Sequence, residues 1–212
     1  MNLSETVHLL AAVIILSVIA GFDSILNQSW INLAQAFLFS LILIFVVVYA
    51  RKLMAYGLDC GVEHRLWGIS RWGFAAHRYL KTDFPAGVAL PLFLSVISLG
   101  RIKFPSLITY EATALKTRSA KRFGYYSYTM LTDWHNSIIG AAGIIGALLV
   151  SLVIYFLPIG WEPLSKIAAY YAFVNLIPYS KLDGMQIFMG SRVLWTTLAL
   201  ITAIFTSYAI FL

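Results

Sequence analysis

The sequence predicts an all-α polytopic membrane protein with a small membrane-associated β element, and three observations carry that reading. Hydrophobic residues fill 60% of the 212 positions and charged residues only 11%, with a mean hydropathy of +0.83. A soluble domain carries about 25% charged residues, so this composition belongs to the bilayer. Apolar runs close to the ~20 residues that cross a membrane as a helix recur along the chain. Between the second and third of them lies a segment in which polar and apolar residues alternate, the period of a strand.

The first apolar run, Val7 to Phe22, lacks a basic leader and a small-residue cleavage site and reads as a retained anchor rather than a secretory signal. After the polar break Asp23 to Ser29, the second runs from Trp30 to Ala50. Gly61 to Phe74, with its aromatics and glycines, predicts short strands or a hairpin. Gly87 to Leu99 is too short for a full span, carries Pro91 and is flanked by Lys81 and Arg101, which fits a re-entrant or interfacial piece. Tyr110 to Phe123 reads as an amphipathic surface helix, and the tryptophans and tyrosines around both intervening pieces fit the interface level. The third span, Ile138 to Leu157, has Gly140, Ala141, Ala142, Gly143, Gly146 and Ala147 for close helix contact. Ile167 to Ile177 is again short and opens a broken segment reaching about residue 190; Val193 to Leu212 is the fourth span. No repeat or separate soluble module interrupts this single membrane domain.

Charge placement orients the chain. Of its 15 Lys and Arg, 12 lie between Arg51 and Arg122, starting with Arg51 and Lys52 just after the second span and ending in Lys116, Arg118, Lys121 and Arg122. By the positive-inside rule the 51–136 region is cytoplasmic. The cluster is a topology determinant and a contact for lipid headgroups; no nucleic-acid recognition module accompanies it. Cys60, the sole cysteine, cannot form an internal disulfide and signals no metal site.

The chemistry-bearing stretch is Asn175 to Gly184, where an acid and an Asn/Pro-broken backbone stand in an apolar region. An ionisable group at membrane depth costs several kcal/mol unless paired, solvated or bound to a cation. The spacing Asn175-x-x-Pro178-x-x-x-Leu182-Asp183-Gly184 resembles the second motif of the site-2 protease family of intramembrane zinc metalloproteases. Ala142 to Ala147 resembles the family's AGPxAN helix, with Ile144, Gly146 and Ala147 in place of its Pro, second Ala and Asn. The order of elements from about Leu41 to Arg192 is similar too: a first core helix (Trp30 to Gly57), a membrane-associated strand region (Val62 to Phe74), the small-residue helix, then the Asp-Gly motif. The resemblance implies a site-2-protease-like core in which Asp183 is a zinc ligand and Asn175, Pro178, Leu182, Asp183 and Gly184 line a groove for an extended substrate strand.

The family's other motif is missing. H-E-x-x-H places two His on one helix face as zinc ligands and a Glu beside the metal-bound water. Counted back from Gly57, its positions hold Phe45, Val46 and Tyr49, and Ile31 to Ala50 contains no His or Glu. The resemblance therefore implies a proteolytically silent relative that binds or regulates the transmembrane segments of partner proteins, in contact with membrane lipids and not with nucleic acid.

Two other readings stand beside it. One is an intramembrane zinc metalloendopeptidase with rearranged ligands, Asp183 and His135; the other is a small carrier or channel with a polar path at Asp183 and Lys181. No cofactor follows from the first reading, and zinc is the one that the second requires. Against the metal, Asp133 reads as a cap or first-turn acid for a helix beginning near Ser137, with His135 bonding locally. Asp183 itself suits a cap for the following helix or a pair with Lys181 or Arg192. His64 and His77 stand among Arg65, Arg71 and Arg78 and read as facing solvent or headgroups; His8 carries no signal. Without a His/Asp or Lys partner at readable spacing there is no serine nucleophile, and Gly68 to Arg71 forms no rhomboid-type site.

Overall fold

The computed structural model describes residues 3–71, 79–115, 131–157 and 160–211. In chain order the elements are α1 (Leu3–Ala20), α2 (Phe22–Leu26), α3 (Trp30–Gly57), β1 (Cys60–Leu66), β2 (Ile69–Arg71), β3 (Tyr79–Phe84), α4 (Ala86–Ile97), β4 (Ile108–Ala114), α5 (Asp133–Phe156), α6 (Glu162–Asn175), α7 (Asp183–Gly190) and α8 (Arg192–Phe211). Four of them, α1, α3, α5 and α8, are long and apolar enough to cross a membrane.

Helix α3 runs on to Gly57, so Arg51 and Lys52 belong to the helix instead of following it. Its buried stripe is Ser40, Leu43, Ile44, Val47, Val48, Arg51 and Ala55, a helical three-and-four spacing. That stripe packs on α5, the most enclosed of the four long helices. Gly146 brings the two together: a Cβ there would lie 3.1 Å from that of Ala50. Helix α1 lies on α3 and β1, while α5 also meets α6 and α7. The main core joins Leu16 and Ile19 of α1, Leu43 and Val47 of α3, Ile144 and Ala147 of α5, and Leu164, Ala168 and Tyr171 of α6.

The strands do not form one hairpin. β1 pairs antiparallel with the distant β4, from Cys60 opposite Ala114 to Leu66 opposite Ile108, and β2 pairs with β3. Ile108 to Ala114 is thus strand where the sequence suggested the start of an amphipathic helix; pairing with β1 and burial of Ile108, Thr109 and Tyr110 decide it. The rest of that expected helix, with Lys116, Arg118, Lys121 and Arg122, lies outside the described residues, as does His77. Trp67 is 1% exposed and packs with Ala86 and Leu182, a core position rather than an interfacial one.

Helix α4 spans 12 residues, includes Pro91, and ends where Leu99 and Gly100 take positive φ. Helix α5 begins at Asp133, four residues before Ser137, with Asp133 in its first turn and Thr132 at the cap position. Helix α6 begins at Glu162, with Pro163 in its first turn, where a proline displaces no helical hydrogen bond. After Asn175 the chain bends through Leu176 to Leu182, with Ser180 at φ 52°, and restarts as α7 at Asp183. Gly184 lets the bend fold back on α7: any Cβ there would collide with the Leu176 carbonyl.

Candidate functional site: an enclosed ion pair between α3 and α7

Asp183 stands in the first turn of α7, wholly enclosed by protein. Its partner is neither Lys181 nor Arg192, both of which are exposed. Arg192 instead lies over the Phe188 ring, 5.6 Å from its centroid. Across the bundle, Arg51 Nη2 donates to Asp183 Oδ2. The correction follows from geometry: Lys181 and Arg192 flank α7 on its outer side, whereas the inward stripe of α3 carries Arg51 straight to the carboxylate.

The pocket around this pair is cut to fit it. The guanidinium sits 5.1 Å above the centre of the Tyr110 ring, a cation–π contact from β4. Gly143 of α5 leaves room for it, since a Cβ would lie 2.5 Å from Arg51 Nε. A Cβ on Gly140 would likewise lie 2.8 Å from Tyr110 Oη, whose hydroxyl donates to the Asn136 carbonyl at 2.5 Å. Burial holds the Tyr110 phenol far above its ordinary range, with Asp183 raising it further against the pull of Arg51, so it stays neutral. Gln186 Nε2 donates to the Tyr110 carbonyl at 3.4 Å and ties α7 to β4.

A second polar cluster flanks the first. His64 on β1 is fully buried, not facing solvent or headgroups; β1 lies under α1, whose Glu5 receives the histidine. Glu5 Oε1 accepts from the His64 backbone N–H at 3.3 Å, contacts His64 Nδ1 at 3.0 Å, and meets Lys52 Nζ at 2.7 Å. Because a carboxylate only accepts, Nδ1 carries the proton. Burial, then the charge of Arg51, pushes the imidazole down to about 4 against the opposing pull of Glu5, so it is neutral at physiological pH.

The remaining sequence candidates divide. Asn175 is buried, with Nδ2 donating to the carbonyls of Tyr171 at 2.9 Å and Pro105 at 3.4 Å, and Oδ1 accepting from Ser106 Oγ at 3.2 Å. The Pro105 and Ser106 bonds thus fasten the loop before β4 to α6, while the Tyr171 bond stays within the helix. Leu182 is buried beside Trp67, and Pro178 is exposed on the bend between Ile177 and Tyr179. Phe45 and Tyr49 are 65% and 58% exposed and stack on each other at 6.1 Å on the outer face of α3. Val46 lies toward Gly146 of α5. The α3 side chain that faces the motif's aspartate is Arg51.

His135 contacts Thr132 Oγ1. It precedes Gly143 by eight residues, about 12 Å along the helix axis, so α5 offers Asp183 a glycine and not an imidazole at the level of the ion pair. Among the described residues, no group of three His, Cys, Asp or Glu stands together to hold a metal ion. At Asp183 the neighbouring cation is a guanidinium, which has no lone pair to give a metal and repels a second positive charge. Among the described residues, the donor set around Asp183 does not fit zinc.

Arg51 and Glu5 are the site residues that motif reading passed over, and both were signalled by period. Arg51 is four residues from Val47 on the stripe of α3, and Glu5 shares a face with Ala12, Leu16 and Ile19 of α1. No protein-family model, no curated protein and no solved structure matches the chain.

Proposed function

We propose that this chain is a site-2-protease-like membrane protein that does not cleave, and that it binds or regulates the transmembrane segments of partner proteins. The observation that carries the reading is the Arg51–Asp183 pair. In the family it resembles, the aspartate at this motif position serves a zinc ion; here an internal cation on the first core helix takes that place. A side-chain cation neutralises the acid and holds the helices together, but it cannot polarise a carbonyl as a Lewis acid or lower the pKa of a bound water as zinc does. The side that could receive a partner is the bend after α6. It exposes Ile177, Pro178 and Tyr179 beside Trp67, whose ring meets Tyr179 edge-on at 6.1 Å. That apolar surface suits an unwound membrane segment better than a soluble peptide.

The test is elemental analysis of the purified, chelator-free protein and of Asp183→Asn, together with cleavage and crosslinking assays on reconstituted transmembrane peptides. The expected result is no stoichiometric zinc in either protein, no cleavage, and crosslinks from a photoreactive residue at Tyr179. Stoichiometric zinc lost in Asp183→Asn would overturn the reading in favour of the rearranged metalloprotease. An absence of crosslinks would remove the groove.

A further inference from the structure

Away from the ion pair, α5, α6 and α8 part to leave a cleft of about 510 Å³. Tyr155 on its wall is twelve residues beyond Gly143, about 18 Å further along α5. The volume falls within the range of small-molecule sites. Ile154, Phe205 and Ala209 contribute apolar walls, and the flanking Ile204 and Phe156 are 68% and 72% exposed, so the cleft opens sideways. Polar groups gather with them: the Tyr155 and Tyr208 hydroxyls, bonded to each other, and the charged pair Glu162 and Lys166 on the first turns of α6. Tyr155 and Tyr208 lie near the C-terminal ends of α5 and α8, the level at which tyrosines sit in a bilayer interface.

The two charges select the occupant. Glu162 and Lys166 lie one helical turn apart, and neither makes an ion pair among the described residues. A purely anionic headgroup would meet the Glu162 carboxylate, and a purely cationic one the Lys166 ammonium. A zwitterion satisfies both. Of the common zwitterionic headgroups, a primary ammonium can donate hydrogen bonds to a carboxylate, whereas a quaternary one has no N–H to give. We propose that this cleft binds one phospholipid with a phosphoethanolamine headgroup: a hydrocarbon chain lies between α5 and α8, the phosphate on Lys166 and the ammonium on Glu162.

The experiment is native mass spectrometry of the full chain in detergent, titrated with phosphatidylethanolamine, phosphatidylcholine and phosphatidylglycerol of equal chain length, and with soluble phosphoethanolamine as competitor. One phosphatidylethanolamine should bind about fivefold more tightly than either other lipid, the value of one exposed ion pair. Glu162→Gln should erase the preference over phosphatidylcholine, and Lys166→Gln should weaken every phosphate lipid. Ala209→Phe should remove binding of all three; Ile204→Trp at the rim is the second cleft variant should Ala209→Phe fail to fold. Equal affinity for the three lipids, a preference that survives Glu162→Gln, or displacement by the soluble headgroup at equal affinity would overturn the proposal.

Discussion

The guanidinium of Arg51 and the carboxylate of Asp183 are each enclosed by protein, so removing either one leaves the other as an uncompensated charge. Breaking such a pair costs about 3–5 kcal/mol, whereas replacing both members with apolar or neutral groups of similar volume is often neutral or better. Arg51→Met and Asp183→Asn should therefore each lower the thermal unfolding midpoint in detergent, and the double variant should recover most of the loss. A double variant as unstable as the sum of the singles would show that the pair holds nothing together. His64 supplies a pH signature from outside the spans. Its folded value of about 4 lies below the unfolded 6.5, so the unfolded chain binds the extra proton. Stability is complete above about pH 6.5 and declines as pH falls toward 4, by up to about 3 kcal/mol. Unfolding midpoints measured from pH 7.5 to 4.5 should show this decline, and His64→Gln should flatten it.

At the scale of elements, the glycines of α5 form a graded series. Gly143→Ala drives a methyl into Arg51, 2.5 Å from Nε, and should cost about 1–3 kcal/mol. Gly146→Ala meets the Ala50 methyl at 3.1 Å and Val46 at ordinary contact distance, 3.6 Å, and should cost less. Gly57→Ala, with nothing within 4 Å at the end of α3, should be neutral or stabilising by up to about 1 kcal/mol. Unfolding midpoints in that order check the packing; a Gly143→Ala protein as stable as its parent would place Arg51 elsewhere. The four long helices were legible because apolar runs of bilayer length have few alternative meanings, and the small residues of α5 announced close contact. What they make room for was hidden: the glycine run shows that something comes near, not that it is an arginine from a helix about 90 residues upstream. Strand β4 was misread for a related reason. Its partner β1 lies more than 40 residues earlier, and a local pattern of Ala, Leu, Lys and Arg says helix until that partner is known.

For the molecule as a whole, local signals ran out where distant segments meet. Asn175 was legible as a helix breaker, but its tie to Pro105 and Ser106 depends on a loop some seventy residues away. Charge counting took Arg51 and Lys52 as markers of a membrane boundary, yet one is sealed in the bundle and the other is bound to Glu5. The separation of 132 residues between Arg51 and Asp183 also bears on how the protein is made. At 5–20 residues per second, the ribosome needs roughly 7–26 s to travel from one to the other. During that interval α3 has its arginine but no acid on α7 to meet it, and the long side chain must reach toward the headgroups for water. A chain that stops short of Asp183 therefore leaves Arg51 without the acid that neutralises it in the finished bundle.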